Sequence, residues 1–421
     1  MKGLAAYGFL GMPLAMAALP IYVHVPKYYA DTLGLPLAGV GAMLLAARAL
    51  DAVQDPLLGW WSDRRRDRRY GRWPFVALGA PLLALGMAGL FNPPAWSVTA
   101  LGAWLVANLL LVYTAYSLVT VSYQAHGAEI STERAGRTRV TAWREGFGLL
   151  GVFAAAVLPE VLRRSMGERE AFSLFALLFA PLVLVAAAIA ITRSPPAAAR
   201  AAALTPTLGS LALPLRNAGF RRLALVFVLN GIAAAIPATL VLFFIEDVVR
   251  RPDLAAHFLV TYFAAGALGL PLWVWLAGRL GKPLAWLCGM GVSITAFIWA
   301  FLLGAGDAGA FFAICALSGL GLGADLALPP SLLADVIDAD ESHGRGRHEG
   351  AYFGLWNLIT KLNLALAAGI ALPLLAAFGY RPGLESAPRS LLALAVIYAL
   401  VPCALKALAA LALTLNRGEI A

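Results

Sequence analysis

The stretch "AMLLAARALDAVQDPLLGWW", residues 42–61, is apolar enough to lie in a bilayer over most of its length, yet it carries Arg48, Asp51 and Asp55. A charge at the centre of a membrane costs at least about 2.5–3.5 kcal/mol, so such groups face a bundle interior or a watery cavity and mark a path for ions or solutes. In a helix these three positions fall at i, i+3 and i+7 and share one face. The two carboxylates are then about 6 Å apart along the axis, close enough to share a proton or to offer several oxygens to Na⁺. Arg48 opposes the mutual repulsion of the acids, and an ion pair between Arg48 and one aspartate still leaves a second carboxylate over.

The rest of the chain fits a membrane setting. Of 421 residues, 61% are hydrophobic and 13% charged, and the mean hydropathy is +0.78, a composition outside that of soluble domains. A helix needs roughly 20 apolar residues to cross the hydrocarbon. Twelve stretches qualify, near 4–26, 36–61, 74–93, 97–125, 145–162, 171–192, 222–245, 258–278, 284–304, 309–335, 352–377 and 391–413. The first reads as a retained helix with no signal peptide, because no polar n-region and small-residue cleavage site frame it. The expected fold is therefore all-α: twelve transmembrane helices in two six-helix halves, 1–192 and 222–421, joined by a Pro-, Ala- and Arg-rich cytoplasmic linker over 193–221.

Basic residues orient the chain. One set of loops holds Lys2, the arginines of 62–73, 129–144 and 193–222, Arg279, Lys282, Arg345, Arg347 and Arg417, while the other holds eight, from Lys27 to Arg389. By the positive-inside rule both termini are cytoplasmic, and the net charge of +9 reflects topology rather than nucleic-acid binding. Arg48, Lys361 and Lys406 fall within spans. Cys288, Cys315 and Cys403 form no CxxC pair, and His343 and His348 flank loop arginines without ligand spacing, so no metal centre beyond a Na⁺ at Asp51 and Asp55 is expected. No HExxH or GxSxG motif points to catalysis.

"GWWSDRRRDRRYGRWP" (59–74) and "LWVWLAGRLGKPLAW" (272–286) stand at corresponding places in the two halves and share a Trp, Gly, basic and Pro pattern, as an internal duplication would leave. Two six-helix halves with such a loop resemble the major facilitator superfamily, and Gly59, Asp63 and Arg64 match its loop motif. Rocking of the halves about a midplane site gives alternating access in that fold. "ARALDAVQDPLLGWWSDRRR" with "YGRWPFVALGAPL" is similar to the signature of the glycoside-pentoside-hexuronide:cation symporters, the melibiose permease type. The resemblance implies that Asp51 and Asp55 hold the coupling cation, H⁺ or Na⁺, with no other cofactor. It extends to "LPPSLLADVIDADESHGRGRHEGAYFGLWNLITKLNLALAAG" (328–369 in outline), which looks like the tenth helix, loop and eleventh helix of that family and makes Lys361, with Arg48, the charge partner of the acids.

"SYQAHGAEISTERAGRTRVTAWREGFG" (122–148) resembles the family's connection between the fourth and fifth helices, with Ser122 in place of a proline. Arg144 aligns with an arginine used near the sugar cavity or gate, and Glu129, Glu133, Arg137 and Arg139 are expected in gate ion pairs. Two departures bear on the substrate. Ala15 stands where the family has a first-helix aspartate, and Thr120 where it has a fourth-helix one. Fewer carboxylates mean fewer sodium ligands, which favours proton coupling. Tyr22, His24, Tyr113, Tyr116, Tyr123, Gln124, His126, Trp356 and Asn357 are further cavity candidates, a set that suits a hydroxylated solute. Asp325, in the Gly-rich "GLGLGADLALPP", is a lone acid able to carry a proton or orient substrate.

The expected function is cation-coupled symport of a small polar solute, a sugar or glycoside first, by a monomer in a bacterial inner membrane. A lysolipid or other amphiphile is the alternative cargo. A polytopic membrane enzyme using Asp51 and Asp55, or a scaffold with a degenerate transport fold, is the rival, disfavoured because paired acids within a span are not where surface-acting membrane enzymes keep their carboxylates.

Overall fold

A computed structural model describes residues 3–65, 71–163, 165–197, 212–342, 348–380 and 387–420. No strand forms among them. A short helix, Leu4–Phe9, leads into α1 (Gly11–Lys27), followed by α2 (Leu37–Arg65), α3 (Trp73–Phe91), α4 (Val98–Glu129), α5 (Arg134–Arg163) and α6 (Glu168–Arg193). Then come α7 (Ala218–Phe243), α8 (Ala255–Leu280), α9 (Lys282–Phe297), α10 (Ala308–Ser342), α11 (Glu349–Ala377) and α12 (Val401–Ile420), the last preceded by a helical stretch from Pro388. Each expected span thus has a helix. Nine helices among the described residues are long and apolar enough to cross a membrane.

Prolines and glycines set the helix starts. Pro36 precedes α2, and its carbonyl accepts the first hydrogen bond of that helix, from Val40 N. Its missing N–H costs nothing there, since the first amides of a helix have no intrahelical partner. Gly71 (φ 54°) and Gly281 (φ 84°) make the turns into α3 and α9, at backbone angles that side chains with a Cβ resist. Pro74 and Pro283 follow within the first turn.

The contacts divide the chain into two compact units, 1–213 with 343–358, and 214–342 with 359–421. In the first unit α2 and α3 pack on α4, α3 on α6, and α1 on α5. Its core includes Tyr7, Val76, Leu83, Met87, Phe91, Leu105, Val112, Phe172 and Phe175, all fully or nearly fully buried. The second unit repeats part of this scheme: α8 and α9 pack on α10, and α9 on α12. Phe244, Phe258, Phe311, Leu394 and Tyr398 lie in its core. Recurrence of the pairings is what the sequence duplication predicts. The segment 348–358, which opens α11, packs with the first unit.

Candidate functional site

On α2 the polar residues face inward and the apolar ones outward, the reverse of a soluble helix. Leu50, Val53, Leu57 and Trp61 are 41–66% exposed, whereas Asp51, Asp55, Ser62 and Asp63 are at most 3% exposed. Lipid is a good solvent for the first stripe and a poor one for the second. Asp51 Oδ1 accepts hydrogen bonds from Ser117 Oγ on α4 and from Gln54 Nε2, both at 2.9 Å. Gln54 Oε1 in turn accepts from Thr114 Oγ1 at 3.0 Å. Pro56 lies inside α2 just after Asp55. Having no N–H, it leaves the carbonyl of Ala52 without the intrahelical bond that residue 56 would supply. Two carboxylates and a released carbonyl on two turns of α2 thus meet a hydroxyl of α4, a set of hard oxygens that suits H⁺ or Na⁺. Arg48 is half-buried on the same helix.

Ser117 begins a polar face on α4. Thr120 and Gln124 follow at i+3 and i+7, within about 10 Å along the axis. Thr120 Oγ1 and Gln124 Oε1 are buried atoms with no hydrogen-bond partner among the described residues. Buried polar atoms are rarely left so, and two on one helix face mark a place short of partners. Of the aromatic candidates, Tyr123 and His126 are tied to backbone carbonyls. Tyr123 Oη donates to the Tyr7 carbonyl at 2.7 Å, and Tyr7 Oη donates to the Tyr123 carbonyl at 3.1 Å, with ring centroids 4.4 Å apart. His24 lies 5.3 Å from the Phe172 ring, and His126 packs on Trp73 with Nε2 3.2 Å from the Pro195 carbonyl. Tyr113 is buried and Tyr116 half-buried; the side chain of Tyr22 lies outside the described residues.

Arg144 is buried about three turns into α5, and its Nε and Nη2 donate to Glu145 Oε1 at 2.9 and 2.5 Å. Its carboxylate partner is the neighbouring residue. On the opening turns of α11 Trp356 is buried and Asn357 half-buried, while Lys361, further along, is half-buried and belongs to the second unit.

The loop motif builds a second charged cluster, with Arg72 rather than Arg64 at its centre. Arg64 is exposed, its guanidinium 5.5 Å from the Trp60 ring centroid. Arg72 is 1% exposed, and Nη2 donates to Asp63 Oδ1 at 2.7 Å, Glu129 Oε1 at 2.8 Å and Glu349 Oε2 at 3.4 Å; Nη1 donates to Ser62 Oγ at 2.8 Å. Asp63 also accepts the amides of Gly350 and Ala351 at 2.7 and 3.0 Å, capping the start of α11. Burial pushes the Asp63 carboxyl above its ordinary range, with Arg72 pulling the other way and Glu349 adding to the rise. Burial works against the Arg72 charge, but Glu129, Asp63 and Glu349 outweigh it and hold the guanidinium protonated. Gly59 permits the close approach: a Cβ there would stand 1.9 Å from the Gly350 carbonyl. Arg137 donates to the carbonyls of Ser131 and Thr132, and Arg139 and Glu133 are exposed.

In the second unit Lys282, one residue past Gly281 as Arg72 is one past Gly71, is 5% exposed and lies 2.5 Å from Asp335 Oδ2 on α10. A cation at a helix N-terminus opposes the dipole, so Lys282 depends on that carboxylate and on the Ser331 carbonyl at 3.2 Å. Asp325, read from the sequence as a lone acid, is paired: Lys406 Nζ lies 2.6 Å from Oδ2.

A membrane bundle with inward carboxylates, a Gly-Asp loop locked to a buried arginine and recurring helix pairings describes a carrier. The family model described as "MFS/sugar transport protein" matches residues 4–416. The chain belongs to that family. The inner membrane symporter YicJ of Escherichia coli (strain K12) is 26% identical over 377 residues, 86% of this chain and 79% of that protein. The glucuronide carrier protein homolog of Escherichia coli (strain K12) is 24% identical over 391 residues, 91% of this chain and 85% of the other. A crystal structure of the major facilitator transporter FucP in the outward conformation superposes with a TM-score of 0.69 at 15% identity, covering 96% and 98% of the two chains, a likeness of fold. This member of the MFS/sugar transport family is accordingly a multi-pass membrane transporter, not an enzyme, and its expected major facilitator fold is the one observed.

Proposed function

We propose that the protein takes a hydroxylated small solute, a sugar or glycoside, across the membrane together with a cation bound at Asp51 and Asp55. The observation that carries this reading is the continuous polar face of α4. Ser117 holds Asp51, and Thr120 and Gln124, with buried oxygens that have no hydrogen-bond partner among the described residues, lie within two turns of it. Cation and solute thus meet on one helix, so occupancy of one changes the groups that the other meets. Few acids surround the pair, which favours H⁺ over Na⁺ as the coupling ion. Arg48, on the same helix, serves as a charge partner of the two acids. The Arg72 cluster serves as a cytoplasmic gate, broken and remade in each cycle. The protein works as a monomer in a bacterial inner membrane with both termini in the cytoplasm.

The test is a screen of sugars, glycosides and lysolipids for solute-induced acidification or alkalinisation in proteoliposomes. A responding sugar or glycoside supports the proposal, and Asp51→Asn and Asp55→Asn should each abolish accumulation against a gradient. Undiminished accumulation in both variants, or a response to lysolipids alone, would overturn it.

A further inference from the structure

Asp325 sits eighteenth of the 35 residues of α10, deep in a helix long enough to span the bilayer. Three other helices of the second unit converge on it. Lys406 Nζ, from α12, lies 2.6 Å from Asp325 Oδ2 and 2.7 Å from Asn230 Oδ1 of α7. Trp286 Nε1, from α9, donates to Asp325 Oδ1 at 2.8 Å. The side chains of Lys406 and Asp325 are 10% and 12% exposed.

Such a pair is not there for stability alone, since buried ion pairs are often matched or bettered by apolar residues of the same volume. Lysine and aspartate together are neutral, which suits a site of low dielectric. The geometry is that of a cation held between hard oxygen donors: a carboxylate oxygen and an amide carbonyl oxygen converge on one point, of the kind that Na⁺ and Li⁺ prefer. The lysine nitrogen occupies that point. Because the indole of Trp286 holds the other carboxylate oxygen, the orientation of Asp325 does not depend on Lys406.

We infer that Asp325 and Asn230, braced by Trp286, form a monovalent-cation site within the second unit, and that its resident occupant is the ammonium of Lys406, a cation tethered to α12. The tether balances the charge of Asp325 whatever ion is in solution, and cutting it opens the site to Na⁺, Li⁺ or a small alkylammonium. The inference is independent of the reading of Asp51 and Asp55.

The test uses the full chain in nanodiscs with Asp51→Asn and Asp55→Asn as background, so that any response belongs to the second unit. Heat unfolding is followed by dye labelling of the buried Cys315 and Cys403 in sodium, lithium, ethylammonium or choline chloride at equal ionic strength. Lys406→Ala should show a saturable upward shift of its midpoint with sodium, lithium or ethylammonium, following the logarithm of one plus concentration over Kd, and none with choline. The background protein with Lys406 intact should not respond, and Asp325→Asn added to Lys406→Ala should remove the response. Equal midpoints for Lys406→Ala in all four salts would overturn the inference. If Lys406→Ala does not accumulate, Lys406→Ser, which keeps an oxygen near the site, is read in the same way; no folded protein from either variant in any of the three cations also overturns it.

Discussion

Replacing Arg72 by methionine keeps a long side chain in the α2–α3 turn and removes the guanidinium that stands within 3.4 Å of three acids. Asp63 and Glu129 lose charge-assisted bonds of 2.7 and 2.8 Å, and Glu349 loses a longer one. All three are at most 2% exposed, so water does not take the place of the guanidinium. Breaking a buried pair in this way costs about 3–5 kcal/mol, against about 0–1 kcal/mol for an exposed one. The pH dependence follows from the direction in which Asp63 is displaced. Its folded pKa lies above the ordinary 3.8, so the folded state holds more protons than the unfolded one. Stability therefore falls as pH rises through the folded value, and removing Arg72 moves that value further up. Arg72→Met should be least damaging in acid and most damaging at neutral pH and above. Unfolding midpoints at one scan rate, taken at about pH 5 and about pH 8 against the parent protein, read this directly. A loss equal at both pH values, or one no larger than an exposed pair gives, would refute the account of the cluster as a buried, charge-balanced lock.

Lys282→Met should destabilise by a similar amount, about 3–5 kcal/mol, and Asp335→Asn in the same protein should recover part of the unfolding midpoint. Gly59→Ala should lower both stability and transport, because its Cβ would meet the Gly350 carbonyl at 1.9 Å, whereas Gly278→Ala, with nothing within 4 Å, should leave transport intact and raise stability by about 0.5–1 kcal/mol. Ser117→Ala should raise the KM for the coupling cation about tenfold, as expected for a lost hydrogen bond to a charged group, while Thr120→Val raises the KM for solute instead. Uptake measured at varied cation and at varied solute separates the two, and a single common effect on kcat would count against the division of labour along α4.

How far the sequence carries is best judged on single residues. The helices were readable because a span must be apolar throughout, and the inward turn of Asp51 and Asp55 because Leu50, Val53, Leu57 and Trp61 occupy the other face. Partners were less readable. Arg72 is one of six arginines between 62 and 73, and only its place between Gly71 and Pro74, echoed by Lys282 between Gly281 and Pro283, sets it apart. Its partners, Glu129 and Glu349, lie 57 and 277 residues away, a separation fixed by helix packing that no local spacing encodes. Tyr123 resembled a cavity residue because a tyrosine in a span can bind solute or backbone equally well, and the reciprocal bonds with Tyr7 decide for the backbone.

Asp325 marks the point where a stricter use of the sequence goes further. The basic residues placed within spans are Arg48, Lys361 and Lys406, and the acids placed deepest are Asp51, Asp55 and Asp325. Charges that cannot reach water must balance inside the bundle, so a lone acid and an unassigned lysine at similar depth are each other's first candidates. Arg48 shares a helix with the two acids, which leaves Lys361 and Lys406 to be placed. Each lies on a helix of the second half, as does Asp325, and the choice between them turns on which helix neighbours α10. The structure supplies that neighbour through Lys406 and Asn230. Charge conservation within the hydrocarbon therefore narrows the pairing to two candidates from sequence alone, and packing makes the final selection.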